Sequence, residues 1–246
     1  MKAQIQVSRP FNFRRWLALP LSLMALMLLV DPGPLDVAIS NLFYEPGEGF
    51  IGRHSFFLED ILHDRAKQAV IVIGVLAIAG FLLSLLPTRL RVYRWSLGYL
   101  VLAMALCTSL VTPLKALTNV HCPWSLQQYG GDQVHTPLLS ERPPSDKAGR
   151  CWPGGHASSG FSLLALFFIL RDRHPRTARG ALILALTLGV IFSVGRTMRG
   201  AHFLSHNLWT LLFDWCICVI CYRLLLYRSP GAASAATTGV GTPCIS

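Results

Sequence analysis

Cys151-Trp152-Pro153-Gly154-Gly155-His156-Ala157-Ser158-Ser159-Gly160 leads directly into an apolar run over residues 161–170. Two glycines and a histidine at the head of an apolar helix mark a place where an anion can sit. The first backbone N–H groups of a helix have no intrahelical partner, and the helix dipole favours negative charge there. Glycine lets a ligand approach the backbone closely. The other residues of chemical interest flank this stretch, with Lys115 upstream and Arg196 and His202 downstream.

Of the 246 residues, 52% are hydrophobic and only 14% charged, and the mean hydropathy is +0.48. A soluble domain carries about 25% charged residues, so the composition predicts a membrane protein. A net charge of +10 would suggest nucleic acid in a soluble protein. Here the cations lie mostly in short loops between apolar runs, which points to membrane topology and acidic lipids, with no nucleic-acid partner. Spanning ~30 Å of hydrocarbon takes ~20 helical residues. Six runs approach or reach that length, near residues 16–30, 69–86, 95–111, 155–170, 180–194 and 203–227. The expected fold is therefore all-α, a polytopic six-transmembrane-helix bundle forming one domain over residues 1–228. Residues 229–246, rich in Gly, Ala, Ser and Thr, read as a disordered tail.

The first fifteen residues are basic (Lys2, Arg9, Arg14, Arg15) and run straight into the first apolar stretch. A signal peptide is the rival reading, but the stretch ends in Asp-Pro-Gly-Pro, without a small-x-small cleavage site. Residues 31–68 form an extramembrane segment with seven carboxylates (Asp31, Asp36, Glu45, Glu48, Glu59, Asp60 and Asp64), read as a solvated face without metal-ligand spacing. Within it Phe57, Leu58, Ile61 and Leu62 recur at helical spacing, suggesting a short amphipathic helix on the bilayer. With the N-terminus inside, thirteen basic residues fall on the cytoplasmic side and nine outside. That excess favours cytoplasmic N- and C-termini. Lys115, the Gly154–His156 stretch and Arg196 to His202 then share one extracytoplasmic face, although they are distant in sequence.

The cysteines divide by depth. Cys216, Cys218 and Cys221 lie in the last apolar run and read as packing residues. Cys122 and Cys151 share the large outer loop, where an oxidising compartment would permit a disulfide; free thiols are the alternative. Trp124, Trp152 and Trp209 read as an aromatic belt, with lipid-headgroup lining as the sharper alternative. His121 and His135 read as loop residues.

Three stretches, Lys115-x6-Cys122-Pro123, Pro153-Gly154-Gly155-His156 and Gly195-Arg196-x5-His202-x3-His206, resemble the three motifs of the type 2 phosphatidic acid phosphatase (PAP2) superfamily. The family pattern is Lys-x6-Arg-Pro, Pro-Ser-Gly-His and Ser-Arg-x5-His-x3-Asp. The resemblance implies His202 as a nucleophile forming a phosphohistidine and His156 as general acid and then base. It also implies Lys115 and Arg196, helped by backbone N–H groups near Gly154 and Gly155, as phosphate ligands. No metal or other cofactor is implied.

Departures from the pattern matter at three positions besides Gly195, which also stands in place of a serine. Cys122 replaces an arginine, removing one bidentate phosphate clamp, and Arg150, Arg142 or Arg199 are the substitutes available, Arg150 being nearest the core motif. Gly154 replaces a serine. His206 replaces the aspartate that would orient the nucleophile. At i, i+4 from His202 it can share a helix face and accept a hydrogen bond, but as a neutral imidazole it brings no negative charge. Asp214 is twelve residues from His202, ~18 Å along a helix, and is no obvious replacement.

The resemblance thus implies a bacterial inner-membrane enzyme whose site faces the periplasm. It would hydrolyse a phosphomonoester or diphosphate on a membrane lipid, with the bilayer supplying the substrate's apolar part. A lipid phosphotransferase using the same phosphohistidine is one alternative. A non-catalytic protein that binds phosphorylated lipid is another. The sequence chooses neither the lipid nor the oligomeric state.

Overall fold

The computed structural model describes residues 8–53, 55, 65–142 and 147–228. The amphipathic segment expected around Phe57–Leu62 and the tail from Ser229 lie outside the described residues. The fold is mostly helical: α1 (Phe13–Leu29), α2 (Gly33–Asn41), α3 (Ala66–Leu85), α4 (Arg94–Thr118), α5 (Gly155–Phe161), α6 (Leu164–Leu170), α7 (Pro175–Met198) and α8 (Leu204–Leu225). One short antiparallel hairpin, β1 (Tyr44–Glu45) and β2 (Gly49–Phe50), interrupts the helical pattern.

Among the described residues four helices, α3, α4, α7 and α8, are long and apolar enough to cross a membrane. A fifth crossing exists if α1 and α2, bent 88° at Asp31-Pro32, are taken as one broken span. The Gly155–Leu170 stretch is shorter and divides into α5 and α6 around Ser162 and Leu163. Against the expected six crossings, four or five helices among the described residues have the length and composition to cross. Two helices also run further than hydropathy suggested. α4 continues through Pro113 to Thr118, and α7 continues to Met198. Lys115 and Arg196 therefore belong to the last turns of these helices rather than to loops. Apolar composition tracks lipid contact, whereas a helix continues as long as its backbone bonds and packing hold.

α5 and α6 sit inside the bundle because their residues are small or wholly apolar. Ala157, Ser158, Gly160, Phe161, Leu163, Leu164 and Ala165 are all buried, against Tyr99, Ala103 and Cys107 of α4 and Cys218 and Tyr222 of α8. Contact with α7 depends on two glycines. A Cβ on Gly160 would lie 2.6 Å from the Gly189 nitrogen, and one on Gly189 would lie 2.0 Å from the Phe161 ring. This close approach sets α5, which begins with Gly155-His156, beside α7, which ends near Arg196.

The other end of the bundle is tied by Arg171, only 8% exposed. Its guanidinium donates to the Tyr222 hydroxyl and to the Arg9 and Pro10 carbonyls, pairs with Asp172 at 3.1 Å and covers the Phe11 ring. These bonds fasten the N-terminal arm to the ends of α6 and α8, far from Lys115 and His156.

Candidate active site

Lys115 and His156 are brought together by the chain segments that follow α4 and precede α5. Asn119 ends α4 in the left-handed conformation, with φ of 50°. Its side-chain carbonyl accepts from the Gly149 N–H, and the Cys151 N–H donates to the Val120 carbonyl at 2.9 Å. Thr118 donates to the Trp152 carbonyl at 3.2 Å. Cys122 and Cys151 are disulfide-bonded, their Cα atoms 5.1 Å apart, so a covalent bridge reinforces the same junction. A Cβ on Gly155 would stand 3.5 Å from Lys115 Nζ, which places the ammonium beside the first turn of α5.

Arg196 and His202 are held by the short α7–α8 connection. The Ala201 N–H donates to the Arg196 carbonyl at 2.9 Å, and Gly200 turns the chain at a φ of +67°. A Cβ there would also meet the Phe50 ring at 2.3 Å, so glycine is required twice over. The Trp124 N–H donates to the Gly200 carbonyl at 3.0 Å, and the Arg196 guanidinium carbon lies 5.9 Å from the Trp124 ring centre. The beginning of α8 is tied back to the glycine stretch: the Gly154 N–H donates to the His206 carbonyl at 3.0 Å, and Thr210 donates to the Gly154 carbonyl at 3.1 Å.

His202, 2% exposed, is the centre of this arrangement. Its ring centre lies 6.5 Å from that of His156 and 6.2 Å from that of His206. Burial, then the charges of Lys115, His206, Arg196 and His156, push its imidazole well below the usual histidine range, so it is neutral at pH 7. Its Nδ1 faces Cys151 Sγ at 3.3 Å. A disulfide sulfur has no proton to give, so a hydrogen bond here requires the proton on Nδ1. The lone pair is then on Nε2.

Sequence reasoning named Lys115, Gly154, Gly155, His156, Arg196, His202, His206, Cys122 and Cys151, and all of them lie in this one neighbourhood. Arg150 does not join them in the same way: it is exposed, and among the described residues no hydrogen bond or ion pair ties it to the cluster. Cys151, His202 and His206 each offer a ligand-type atom within 4.8 Å of the others, but the bonded sulfur is not a thiolate and does not ligate a metal in this state.

Three readings need correction. Asp36 is not part of a solvated face. It is 4% exposed and accepts from the Ser205 N–H at 2.9 Å and from the Ser205 hydroxyl, closing the first turn of α8. Trp152 and Trp209 are not belt residues, being 6% and 5% exposed and packed edge to face at 5.4 Å. His121 and His135 are more than loop residues. With Asp31, Asp36, Trp152 and His206 they line a cavity of about 250 Å³ behind the His206 ring. In each case the contact joins segments remote in sequence, and only the generic preference of a carboxylate for a helix N-terminus hinted at Asp36.

A buried neutral imidazole, beside a second imidazole, a lysine and an arginine at one end of a bundle of membrane-length helices, defines a membrane protein built to handle a phosphate group. The chain matches the PAP2 superfamily over residues 96–230 and belongs to it, which supports a phosphatase-type activity. No curated protein and no solved structure matches the chain.

Proposed function

We propose that the chain is a membrane lipid phosphatase that acts through a phosphohistidine on His202, with its site at the extracytoplasmic face of a bacterial inner membrane. The observation that carries the reading is the convergence of Lys115, His156, Arg196 and His202 from three segments distant in sequence, around an imidazole that burial and neighbouring cations hold neutral. His202 Nε2 attacks phosphorus as the bond to the leaving oxygen breaks, and His156 donates a proton to that oxygen. His156 then takes a proton from water as the water oxygen attacks phosphorus, and the N–P bond breaks to release inorganic phosphate. Lys115 and Arg196 hold the equatorial oxygens while charge shifts among them. Ring centres 6.5 Å apart leave room for a phosphoryl group and its leaving oxygen. The apolar helices around the site, with a mean hydropathy of 2.5 in α3, suit a substrate whose headgroup is presented from the bilayer.

The test is phosphate release by purified protein in detergent, from phosphatidic acid, phosphatidylglycerophosphate, a polyprenyl diphosphate and lipid A, with chelator present. We expect release from at least one lipid and a loss of roughly 10³–10⁶-fold in His202→Ala. Equal release by the variant would refute the mechanism, and labelled phosphate appearing on a second lipid would replace hydrolysis with transfer.

A further inference from the structure

The disulfide touches the nucleophile, and that contact gives it a second chemical identity. Among the described residues, Cys151, His202 and His206 are the group of three that brings histidine, cysteine or carboxylate ligand atoms within 4.8 Å of one another, and all three are buried. The closest pair, Cys151 Sγ and His202 Nδ1, is 3.3 Å apart. Cys122 Sγ is bonded to Cys151 Sγ and so stands at the edge of the same cluster. In a tetrahedral zinc site with Zn–S near 2.3 Å and Zn–N near 2.0–2.1 Å, ligand atoms are ~3.4–3.8 Å apart. Closing the observed spread of Cys151, His202 and His206 to that spacing takes side-chain movement of about 1 Å.

We propose that reduction of the Cys122–Cys151 bridge creates a four-ligand site, Cys122, Cys151, His202 and His206, for a thiophilic divalent cation of the zinc class. Three of these donors already lie within 4.8 Å of one another, and Cys122, once released from Cys151, is the fourth to move in; two thiolates and two imidazoles form a soft donor set that selects zinc over magnesium or calcium. While the bridge is intact neither sulfur is a thiolate, and the site is closed. The half-buried Cys122 is where a reductant gains access. A dithiol attacks Cys122 Sγ, and Cys151 leaves as a thiolate beside His202. The reductant's second thiol then releases Cys122, and the reductant departs as its own disulfide. Binding the cation releases the proton of each cysteine that is still a thiol. The cation occupies His202, so the chain with a reduced bridge is inactive, and activity is coupled to bridge formation. That last step rests on the phosphatase reading of His202; the cation site does not.

The experiment uses the full chain in detergent, either oxidised or reduced with a phosphine that is then removed without air, and titrated with Co²⁺. In the reduced chain we expect one cobalt per chain, a thiolate-to-cobalt charge-transfer band and the intense visible absorption of tetrahedral cobalt. Zn²⁺ should displace the cobalt, and the oxidised chain should bind at least about 100-fold more weakly. Reduced His206→Asn should lose more affinity than the ~10–100-fold that removing a ligand's supporting partner costs, with the thermal midpoint of its oxidised form reporting that it is folded. Absence of stoichiometric cobalt in the reduced wild type overturns the proposal. So does equal binding in both states, because Cys107, Cys216, Cys218 and Cys221 are thiols in either. Phosphate release by the oxidised chain is measured alongside. Cobalt binding without turnover supports the site and sinks the phosphatase reading, whereas turnover without cobalt binding does the reverse.

Discussion

Replacing Gly154 by serine, the residue the family pattern carries there, should damage this chain. A Cβ on Gly154 would lie 2.2 Å from Asn207 Oδ1, 3.1 Å from Asn207 Cγ and 3.4 Å from Asn207 Cα. The Asn207 side chain would have to swing by more than 1 Å. It is 2% exposed, and its Nδ2 donates to the Ser193 and Phe203 carbonyls at 3.4 and 3.2 Å. Two hydrogen bonds at ~0.5–1.5 kcal/mol each, with ~0.5–1.5 kcal/mol for an off-rotamer side chain, give a cost of about 2–4 kcal/mol. At ~2–4 °C per kcal/mol for a chain of this size, the thermal midpoint in detergent should fall by roughly 5–15 °C. Activity should fall too, because the Gly154 N–H holds the His206 carbonyl and so the start of α8. Asn207→Ala removes the obstructing oxygen, so in the double variant the two losses should be less than additive, by about 1 kcal/mol or more. An unchanged midpoint in Gly154→Ser, or strict additivity in the double variant, would refute this account.

The pH dependence of kcat/KM should reflect His202. Its folded pKa is depressed, so the proposed nucleophile stays neutral below the usual value of about 6.5, and the acid limb should lie below that pH; a limb at or above pH 6.5 contradicts the burial argument. The same shift acts on stability with a defined sign. The unfolded chain takes the proton first, so the contribution is fully present above about pH 6.5 and is lost as pH falls towards the folded value. Asp36→Ala, which leaves the Ser205 N–H without its acceptor, should cost about 1–3 kcal/mol in thermal unfolding, while Asp36→Asn, which keeps an acceptor, should cost less than half of that. Gly160→Ala places a methyl group 2.6 Å from the Gly189 backbone nitrogen, which has no side chain to move aside. It should destabilise by about 1–3 kcal/mol or more and lower turnover by displacing His156 from Arg196, as thermal unfolding and kcat would show together.

The membrane helices and the residues that converge on His202 were legible because each is written locally. An apolar run announces itself, and Lys115, His156, Arg196 and His202 stand in short segments whose spacing is visible without a fold. The residues that were not legible depend on contacts across the chain. Asp36 reaches Ser205 across 169 residues, so nothing in its own neighbourhood separates it from the carboxylates around it. The asparagine that forbids a side chain at Gly154 lies on another helix. Trp152 and Trp209 looked interfacial by type and position, but the segment between the bridge and Pro153 turns Trp152 inward against α8. Hydropathy also ended α4 before Lys115, because it measures the lipid-facing length of a helix and not where its hydrogen bonding stops.

The departures from the family pattern at 122, 154 and 206 are physically connected. Cys122, in place of arginine, forms the bridge to Cys151, and the Cys151 sulfur occupies the Nδ1 side of His202. Gly154, in place of serine, leaves space for Asn207 and donates its N–H to the His206 carbonyl. His206, in place of aspartate, sits 6.2 Å from His202 between the same sulfur and the cavity that holds His121 and His135. A carboxylate at position 206 would be buried, and among the described residues Nδ1 of the ring it would replace has no hydrogen-bond partner. A carboxylate's usual service to a nucleophilic histidine is to fix its tautomer and to stabilise its positive form. Here the sulfur is placed to fix the tautomer, and the surrounding cations favour the neutral form instead. Restoring the family aspartate alone would bury a carboxylate whose desolvation the Lys115 and Arg196 charges near His202 offset. The replacements at 122, 154 and 206 make sense as a set, because each sits where another has changed the environment.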